Sequence, residues 1–196
     1  MPRRSTSDAE KTRQNLVMAA LAHFSEKGYK ETSVADICET AQTTKGALFH
    51  HFLNKEDLFK EVWVLLQTEM DQEARKAAIA ARSTSDPYAA FMAGCRVYLE
   101  WAARRDYQQI VLVDGRAVLG AAGWYEDDHK LGNQNVMAGV RYLAKKGIVD
   151  QKHIRPLALM LQSALNGAGY ALMRQDEDVT SENLFEAFEV MVKSLR

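Results

Sequence analysis

Prolines, cysteines and long apolar runs are all scarce in this chain of 196 residues. It holds three prolines, eleven glycines and two cysteines. Few residues therefore interrupt its many Ala, Leu, Glu, Lys, Gln and Met residues, which favour helix. Cys38 and Cys95 lie on apolar faces of predicted helices, so we interpret them as small core residues in a reducing compartment rather than as a disulfide.

Signals for a membrane or for export are also missing from the sequence. Apolar runs such as residues 62–66 are far too short to cross a bilayer. Residues 1–4 are basic, but no apolar segment follows them, so we expect no signal peptide. The sequence predicts a cytoplasmic protein with no membrane partner.

A strong charge of one sign is absent as well, because the formal net charge is −1. Residues 1–60 carry nine basic and eight acidic side chains, which is a very small basic excess. Overall charge therefore gives little support to a nucleic-acid partner, and the evidence must come from the placement of individual residues.

Helical periodicity is what the sequence does show, with no strand-like alternation of useful length. Leu16, Ala20 and Phe24, for example, repeat at every fourth position. We predict an all-α fold of about nine helices. Residues 1–53 form the predicted N-terminal domain of three helices. A long helix that starts after Asn54 joins this domain to a second helical domain, which covers residues 54–196.

Residues 33–52 form the pattern with the clearest functional meaning. A short helix capped by Thr32 or Ser33 is followed by a break at Gln42 and a second short helix, as in a helix-turn-helix. The second helix of that motif presents its first residues to base edges in the major groove, so this end must be polar and small. The matching residues here are Thr43, Thr44, Lys45, Gly46 and Ala47.

The same stretch resembles the DNA-binding domain of the TetR family of bacterial regulators. The resemblance covers about residues 10–60 and is carried by residues 32–37 (TSVADI), 44–52 (TKGALFHHF) and 54–58 (NKEDL). It implies that one group of residues faces bases or nearby phosphates and that a second group holds the DNA backbone. The first group is Thr44, Lys45 and Ala47, and the second is Thr32, Ser33, His50 and Lys55.

Two positions depart from the family pattern. Gln42 stands in the turn where the family usually has glycine, so we expect either a costly positive φ at Gln42 or a different turn. Phe49 stands where the family usually has a tyrosine that reaches a phosphate. Because Phe49 has no hydroxyl, we expect one fewer phosphate contact in each half-site.

The region after residue 54 predicts a second copy of the chain and a small molecule as partners. A dimer would match a palindromic operator, and its predicted interface comprises Leu161, Ala164, Leu165, Ala168, Leu172, Phe188 and Val192. The alternative for these residues is the chain's own core. The resemblance also implies a pocket for a largely apolar ligand, and an ordinary core is the alternative for the candidate lining residues, which are Trp63, Met70, Phe91, Tyr98, Trp101, Tyr107 and Trp124.

The combined prediction is a ligand-responsive DNA-binding regulator, a repressor released from its operator by a small molecule. A DNA-binding activator and a ligand-independent regulator are the alternatives. An enzyme fits least, because the GxSxG, P-loop, GxGxxG and HExxH motifs are all missing. Asp127, Asp128 and His129 are adjacent on a predicted helix and point in different directions, so we expect no metal site and no cofactor.

Overall fold

The computed structural model describes residues 6–83, 86–120, 133–175 and 177–195. Within these ranges every regular element is helical and no strand occurs, which confirms the all-α prediction. Segment α6 is helical throughout and consists of a π-helical piece between two short α-helical pieces. Besides two short 3-10 turns, Ala81–Ser83 and Gln151–His153, the described elements are α1 (Thr6–Glu31), α2 (Val34–Thr40), α3 (Lys45–His51), α4 (Lys55–Ala80), α5 (Ala89–Ala102), α6 (Arg105–Tyr107, Gln108–Asp114 and Gly115–Val118), α7 (Asn133–Lys145), α8 (Ile154–Arg174) and α9 (Ser181–Lys193).

The chain divides into two compact units. The first unit comprises Met1–Leu66 and Arg105–Ala121, and the second comprises Gln67–Arg104 and Ala122–Arg196. The division falls within α4. The functional boundary between residues 53 and 54 stays a prediction.

The core of the first unit is built on α1. Leu16, Ala20 and Phe24 are completely buried, as their spacing predicts. Phe24 meets Phe59 of α4 edge-on, with 5.3 Å between the ring centroids. Gly28 interrupts α1 with a φ of 78°, a conformation that glycine adopts without strain. The chain can therefore leave the axis of α1 at Gly28 before α2 begins at Val34.

Segment α6 packs against α1 inside the first unit. Its middle piece, Gln108–Asp114, is wound as a π-helix, and the N–H of Gly115 donates to the carbonyl of Ile110. The carboxylate of Asp114 accepts hydrogen bonds from the backbone N–H of Tyr29 at 2.7 Å and from the side chain of Gln109 at 3.0 Å. Tyr29 and Asp114 are 85 positions apart, so local sequence patterns do not predict their contact.

The second unit buries its own core between α5, α7, α8 and α9. The Tyr98 hydroxyl on α5 donates to Oδ1 of Asn166 on α8 at 2.8 Å. The Arg96 guanidinium on α5 makes two bonds, of 2.6 and 3.2 Å, to the Glu182 carboxylate on α9. Leu99 and Val140 are almost completely buried in this core.

Close approach of α7 to α5 requires glycine at position 139. A Cβ atom added to Gly139 would lie 2.1 Å from Cδ2 of Phe91, far inside van der Waals contact. None of the described helices is long and apolar enough to span a membrane. Three segments with predicted features, Arg3–Arg4, residues 84–85 of the predicted loop and Trp124–His129, lie outside the described residues.

We predict that Gly139→Ala destabilises the second unit by about 1 to 3 kcal/mol, because Phe91 must leave its rotamer or α7 must move. Chemical denaturation monitored by circular dichroism measures the loss. Gly94→Ala is the matched control, since its Cβ would meet its nearest atom at an ordinary 3.5 Å. Equal stability of the two variants would contradict this packing.

Candidate nucleic-acid interface and ligand cavity

The turn between α2 and α3 is a tight helix-ending motif with Gln42 at its centre. The N–H of Thr43 donates to the carbonyl of Cys38 at 2.9 Å, and the N–H of Gln42 donates to the carbonyl of Glu39 at 3.1 Å. This pair of bonds requires a left-handed residue after the helix, and glycine usually fills that place. Gln42 has a φ of 51°. The positive φ considered from the sequence is therefore confirmed.

The leading end of α3 is exposed. Thr44 caps this helix, and its hydroxyl oxygen accepts the N–H of Ala47 at 3.1 Å. Thr44, Lys45 and Gly46 are all exposed. On the opposite side, Leu48 is completely buried and anchors the helix. A nucleic acid can therefore approach the first turn of α3 without displacing the core.

Most of the predicted DNA-contacting residues lie at the surface. Ser33, Thr44, Lys45 and His50 are exposed, and Thr43 and Ala47 are half-buried. Ser33 caps α2, and its oxygen accepts the N–H of Asp36 at 3.1 Å. Capping uses a lone pair of each hydroxyl, so the hydroxyl hydrogens of Ser33 and Thr44 can still be donated to a phosphate.

The hydrogen bonds between Ser33 and Asp36 also lower the pKa of the Asp36 carboxyl group. Asp36 therefore stays ionised in the first turn of α2, where a negative charge interacts favourably with the exposed backbone N–H groups.

Thr32 and Lys55 are placed differently from the other predicted contacts. The Thr32 hydroxyl is buried and donates to the carbonyl of Gly28 at 2.8 Å. The Lys55 ammonium donates to the carbonyls of Tyr29 at 2.8 Å and Thr32 at 2.9 Å. It also lies 4.2 Å from the centre of the Tyr29 ring. Contact of the Thr32 hydroxyl with a phosphate would require its internal bond to break, whereas the Lys55 ammonium has three N–H donors and gives two of them to these carbonyls.

Phe49 and Leu53 add an apolar component near the same surface. Their exposed fractions are 51% and 86%. Phe49 can offer a ring face to a sugar or a base methyl group, but it can donate no hydrogen bond. Sequence reasoning had noted the missing hydroxyl of Phe49 and had not singled out Leu53.

A cavity of about 300 Å³ lies within the second unit. Three of the predicted ligand-binding residues, Met70, Phe91 and Tyr98, line it. Apolar side chains form most of the wall, and Gln162, Asn135, Arg75 and Arg82 add polar groups that sequence reasoning missed. The described lining residues are Met70, Ala74, Arg75, Ala78, Ile79, Arg82, Ala90, Phe91, Gly94, Cys95, Tyr98, Asn135, Val136, Ala138, Gly139, Tyr142, Gln162 and Leu165.

The other predicted ligand-binding residues lie elsewhere. Trp101 is buried in the second unit, where its indole N–H donates to Glu73 at 2.6 Å, and it is not part of the described lining. Trp63 and Tyr107 are buried in the first unit. Trp124 lies outside the described residues. Large aromatic residues are common in any core, so their presence alone did not identify the wall of the cavity.

The predicted dimer residues of α8 and α9 mostly face their own chain. Four are buried within the single chain, namely Leu161, Leu165, Phe188 and Val192, and the other three, Ala164, Ala168 and Leu172, are half-buried. The exposed side of these two helices instead carries Met160, Gly167, Val190 and Met191. The strongest apolar periodicity therefore marked the internal face of each helix.

The exposed first turn of α3, held by α2 and a tight turn, defines a DNA-binding protein of the helix-turn-helix class. Comparison with known proteins agrees. Residues 16–62 match the model of the bacterial regulatory proteins of the tetR family, and residues 88–195 match the tetracyclin repressor-like C-terminal domain. The chain therefore belongs to the TetR family of transcriptional regulators.

Individual relatives are regulators as well. A TetR-family transcriptional regulator from Pectobacterium atrosepticum is 30% identical in sequence, with a TM-score of 0.80 over 98% of this chain and 97% of its own. The probable acrEF/envCD operon repressor of Escherichia coli K12 is 35% identical over 57% of this chain and 50% of its own length. The HTH-type transcriptional regulator AcrR of Shigella flexneri is 38% identical over 37% of this chain and 34% of its own.

The match to these curated relatives is partial, because the chain spans half or less of their length. The family and its named members are transcriptional regulators and not enzymes. Among the described residues, no group of three or more His, Cys, Asp or Glu side chains is placed to hold a metal ion.

We predict that Gln42→Gly stabilises the protein by about 0.5 to 1 kcal/mol, because glycine adopts the positive φ at position 42 without the steric cost that glutamine bears. Chemical denaturation measures the change. Gln42→Ala keeps a Cβ atom at this position and serves as the control, with no gain expected. A gain for alanine equal to that for glycine would contradict the conformational explanation.

Proposed function

We propose that this protein is a ligand-responsive repressor. In this proposal it binds a palindromic double-stranded DNA operator as a homodimer and leaves the DNA when a small, largely apolar molecule occupies the cavity of the second unit. The exposed leading end of α3 is the observation that carries the proposal. A repressor of this kind acts on the chromosome, so we place it in the cytoplasm.

The DNA contacts follow from the accessible atoms of α2 and α3. Lys45 supplies a positive charge, and the methyl group of Ala47 can touch a thymine methyl. In this proposal the hydroxyl groups of Ser33, Thr43 and Thr44, which are exposed or half-buried, donate to phosphates. His50 lies on the exposed side of the last turn of α3 and can add a backbone contact.

Pairing of two chains is needed because one helix-turn-helix reads few bases. The exposed apolar surface of α8 and α9 favours these two helices for the contact, with Met160, Val190 and Met191 as its large side chains. Gly167 on α8 has no atom within 4 Å of the position of an added Cβ, so a neighbouring helix could approach closely there. We therefore propose this exposed surface as the dimer interface, in place of the mostly inward-facing residues that the sequence predicted.

Release from DNA would be a population shift. A ligand moves the equilibrium only by the difference between its affinities for the DNA-binding and the released arrangements. Helix α4 is a candidate for transmission, because this continuous helix supplies Trp63 to the first unit and Met70 to the wall of the cavity. An unmoved α4 in liganded and DNA-bound crystals would exclude this route.

The operator can be found by selecting genomic DNA fragments with the purified protein, and we expect a palindromic motif. Loss of the mobility shift on addition of a compound would establish sensing. An activator would raise transcription from the same operator in a reporter assay, and a ligand-independent regulator would keep its operator bound with the cavity occupied. Failure to enrich any sequence would overturn the proposal.

We predict that Lys45→Ala lowers operator affinity by roughly tenfold or more, because it removes an exposed cation from the leading end of α3. A titrated mobility shift at fixed salt measures the loss. Lys76→Ala removes an equally exposed charge from α4 in the second unit and should have little effect. Equal affinity of wild type and Lys45→Ala would remove Lys45 from the interface.

We predict that Val190→Glu shifts the chain towards monomers by roughly a hundredfold in the dissociation constant, because symmetry would bury two unpaired carboxylates in one interface. Sedimentation equilibrium measures the constant. Lys76→Glu places a carboxylate on the exposed surface of α4, away from α8 and α9, and is the control. An unchanged dimer in Val190→Glu would place the interface elsewhere.

A further inference from the structure

Among the described residues that line the cavity in the second unit, one buried polar atom has no hydrogen-bond partner within the protein. Gln162 on α8 lines the cavity, and only 6% of its surface is exposed. Its Nε2 donates to Oδ1 of Asn166 at 3.0 Å, but its Oε1 is buried and has no hydrogen-bond partner. Buried acceptors without a partner are rare and costly, so such an atom in a cavity wall indicates a donor that comes from outside.

Neighbouring side chains fix the direction of this amide. Oδ1 of Asn166 also accepts the Tyr98 hydroxyl at 2.8 Å. Asn166 thus receives two donors at one oxygen and holds Nε2 of Gln162 along α8. Oε1 is therefore the atom of Gln162 whose hydrogen-bonding capacity the protein leaves unused.

Asn135 and Tyr142 also carry oxygen acceptors in the described wall, but neither oxygen is a buried atom without a partner. Nδ2 of Asn135 donates to the backbone carbonyl of Asp71 at 3.1 Å, and this bond uses the donor of the Asn135 amide and not its oxygen. Burial raises the pKa of the Cys95 thiol, so this group is neutral. Apolar side chains such as Phe91, Val136 and Leu165 complete the surroundings.

We propose that the effector is a mostly apolar molecule that carries a hydroxyl or N–H group, and that Oε1 of Gln162 accepts the hydrogen bond from this group. The proposal rests on the proposed function for the identity of the cavity as the effector site. It adds the chemical class of the effector and the residue that selects it. Molecules of the same shape that lack a donor are discriminated against, because they leave Oε1 unsatisfied.

The charged side chains of the cavity wall narrow the chemical class of the effector further. The charged side chains among the described lining residues are Arg75 and Arg82, and both are cations. Lys145 and Lys146 lie beside Arg82 in an adjoining depression. A positively charged effector would be repelled by these groups, so the class comprises neutral or anionic compounds.

Three biphenyls of similar shape test the proposal by isothermal titration calorimetry on the full chain without DNA. 4-Hydroxybiphenyl can donate a hydrogen bond, 4-fluorobiphenyl cannot, and 4-methoxybiphenyl can only accept. The preference is the dissociation constant of the fluoro compound divided by that of the hydroxyl compound. We expect this ratio to be about tenfold larger for the wild type than for Gln162→Met. Gln162→Leu serves as a second variant if the methionine variant does not fold.

Leu165→Met is the matched control, because it changes the wall one turn along α8 and keeps the acceptor. Its hydroxyl preference should equal that of the wild type. The proposal is overturned if Gln162→Met keeps the full preference, if 4-methoxybiphenyl is the compound that loses affinity in Gln162→Met, or if 4-hydroxybiphenyl does not bind the wild type.

Failure of this proposal can be distinguished from failure of the proposed function. The calorimetric experiment contains no DNA, and the mobility shift with the operator needs no biphenyl. A protein that binds its operator but shows no Gln162-dependent preference would remain a regulator with a different effector class. A protein that shows the preference but selects no DNA would keep the binding site and lose the proposed function.

Discussion

The broken end of α1 is the constraint on which the helix-turn-helix depends. Between Gly28 and Thr32 the chain leaves one helix and enters the next, so its backbone groups lose their helical partners. Three side chains supply new partners. The Asp114 carboxylate accepts the N–H of Tyr29, the Lys55 ammonium binds the carbonyls of Tyr29 and Thr32, and the Thr32 hydroxyl binds the carbonyl of Gly28. Bonds to charged groups contribute about 1.5 to 3 kcal/mol each, so this turn is well determined.

Because the turn between α1 and α2 is fixed, helices α2 and α3 can be short and largely exposed. Helices α2 and α3 have only seven residues each, too few to be stable alone. Their caps, the buried side chains of Ile37 and Leu48, and the turn that precedes them hold them in place. The first turn of α3 can then carry Lys45 and Gly46, which contribute little to the core, at the position where close approach to DNA matters most. At the cavity of the second unit, by contrast, Oε1 of Gln162 is buried and has no hydrogen-bond partner in the protein.

Local patterns in the sequence predicted the helices, limited the cap of α2 to Thr32 or Ser33 and limited Gln42 to a positive φ or a different turn, because each feature depends on residues within one or two helical turns. Long-range contacts were not predictable in the same way. Lys55 and Thr32 matched family positions, but their inward direction depends on carbonyls freed by the break in α1. Asp114 lies 85 positions from Tyr29. Apolar periodicity identified the inner faces of α8 and α9, whereas the exposed faces carry fewer large apolar residues and gave a weaker signal.

Amide hydrogen exchange of Lys55→Met without DNA tests the central claim most directly. Methionine keeps most of the volume of Lys55 and removes the ammonium that binds the carbonyls of Tyr29 and Thr32. The account predicts faster exchange across residues 34–51 in the variant and unchanged exchange in α8. Unchanged protection of residues 34–51 together with a loss of DNA affinity would contradict it, because Lys55 would then be a phosphate contact and not the residue that holds the turn.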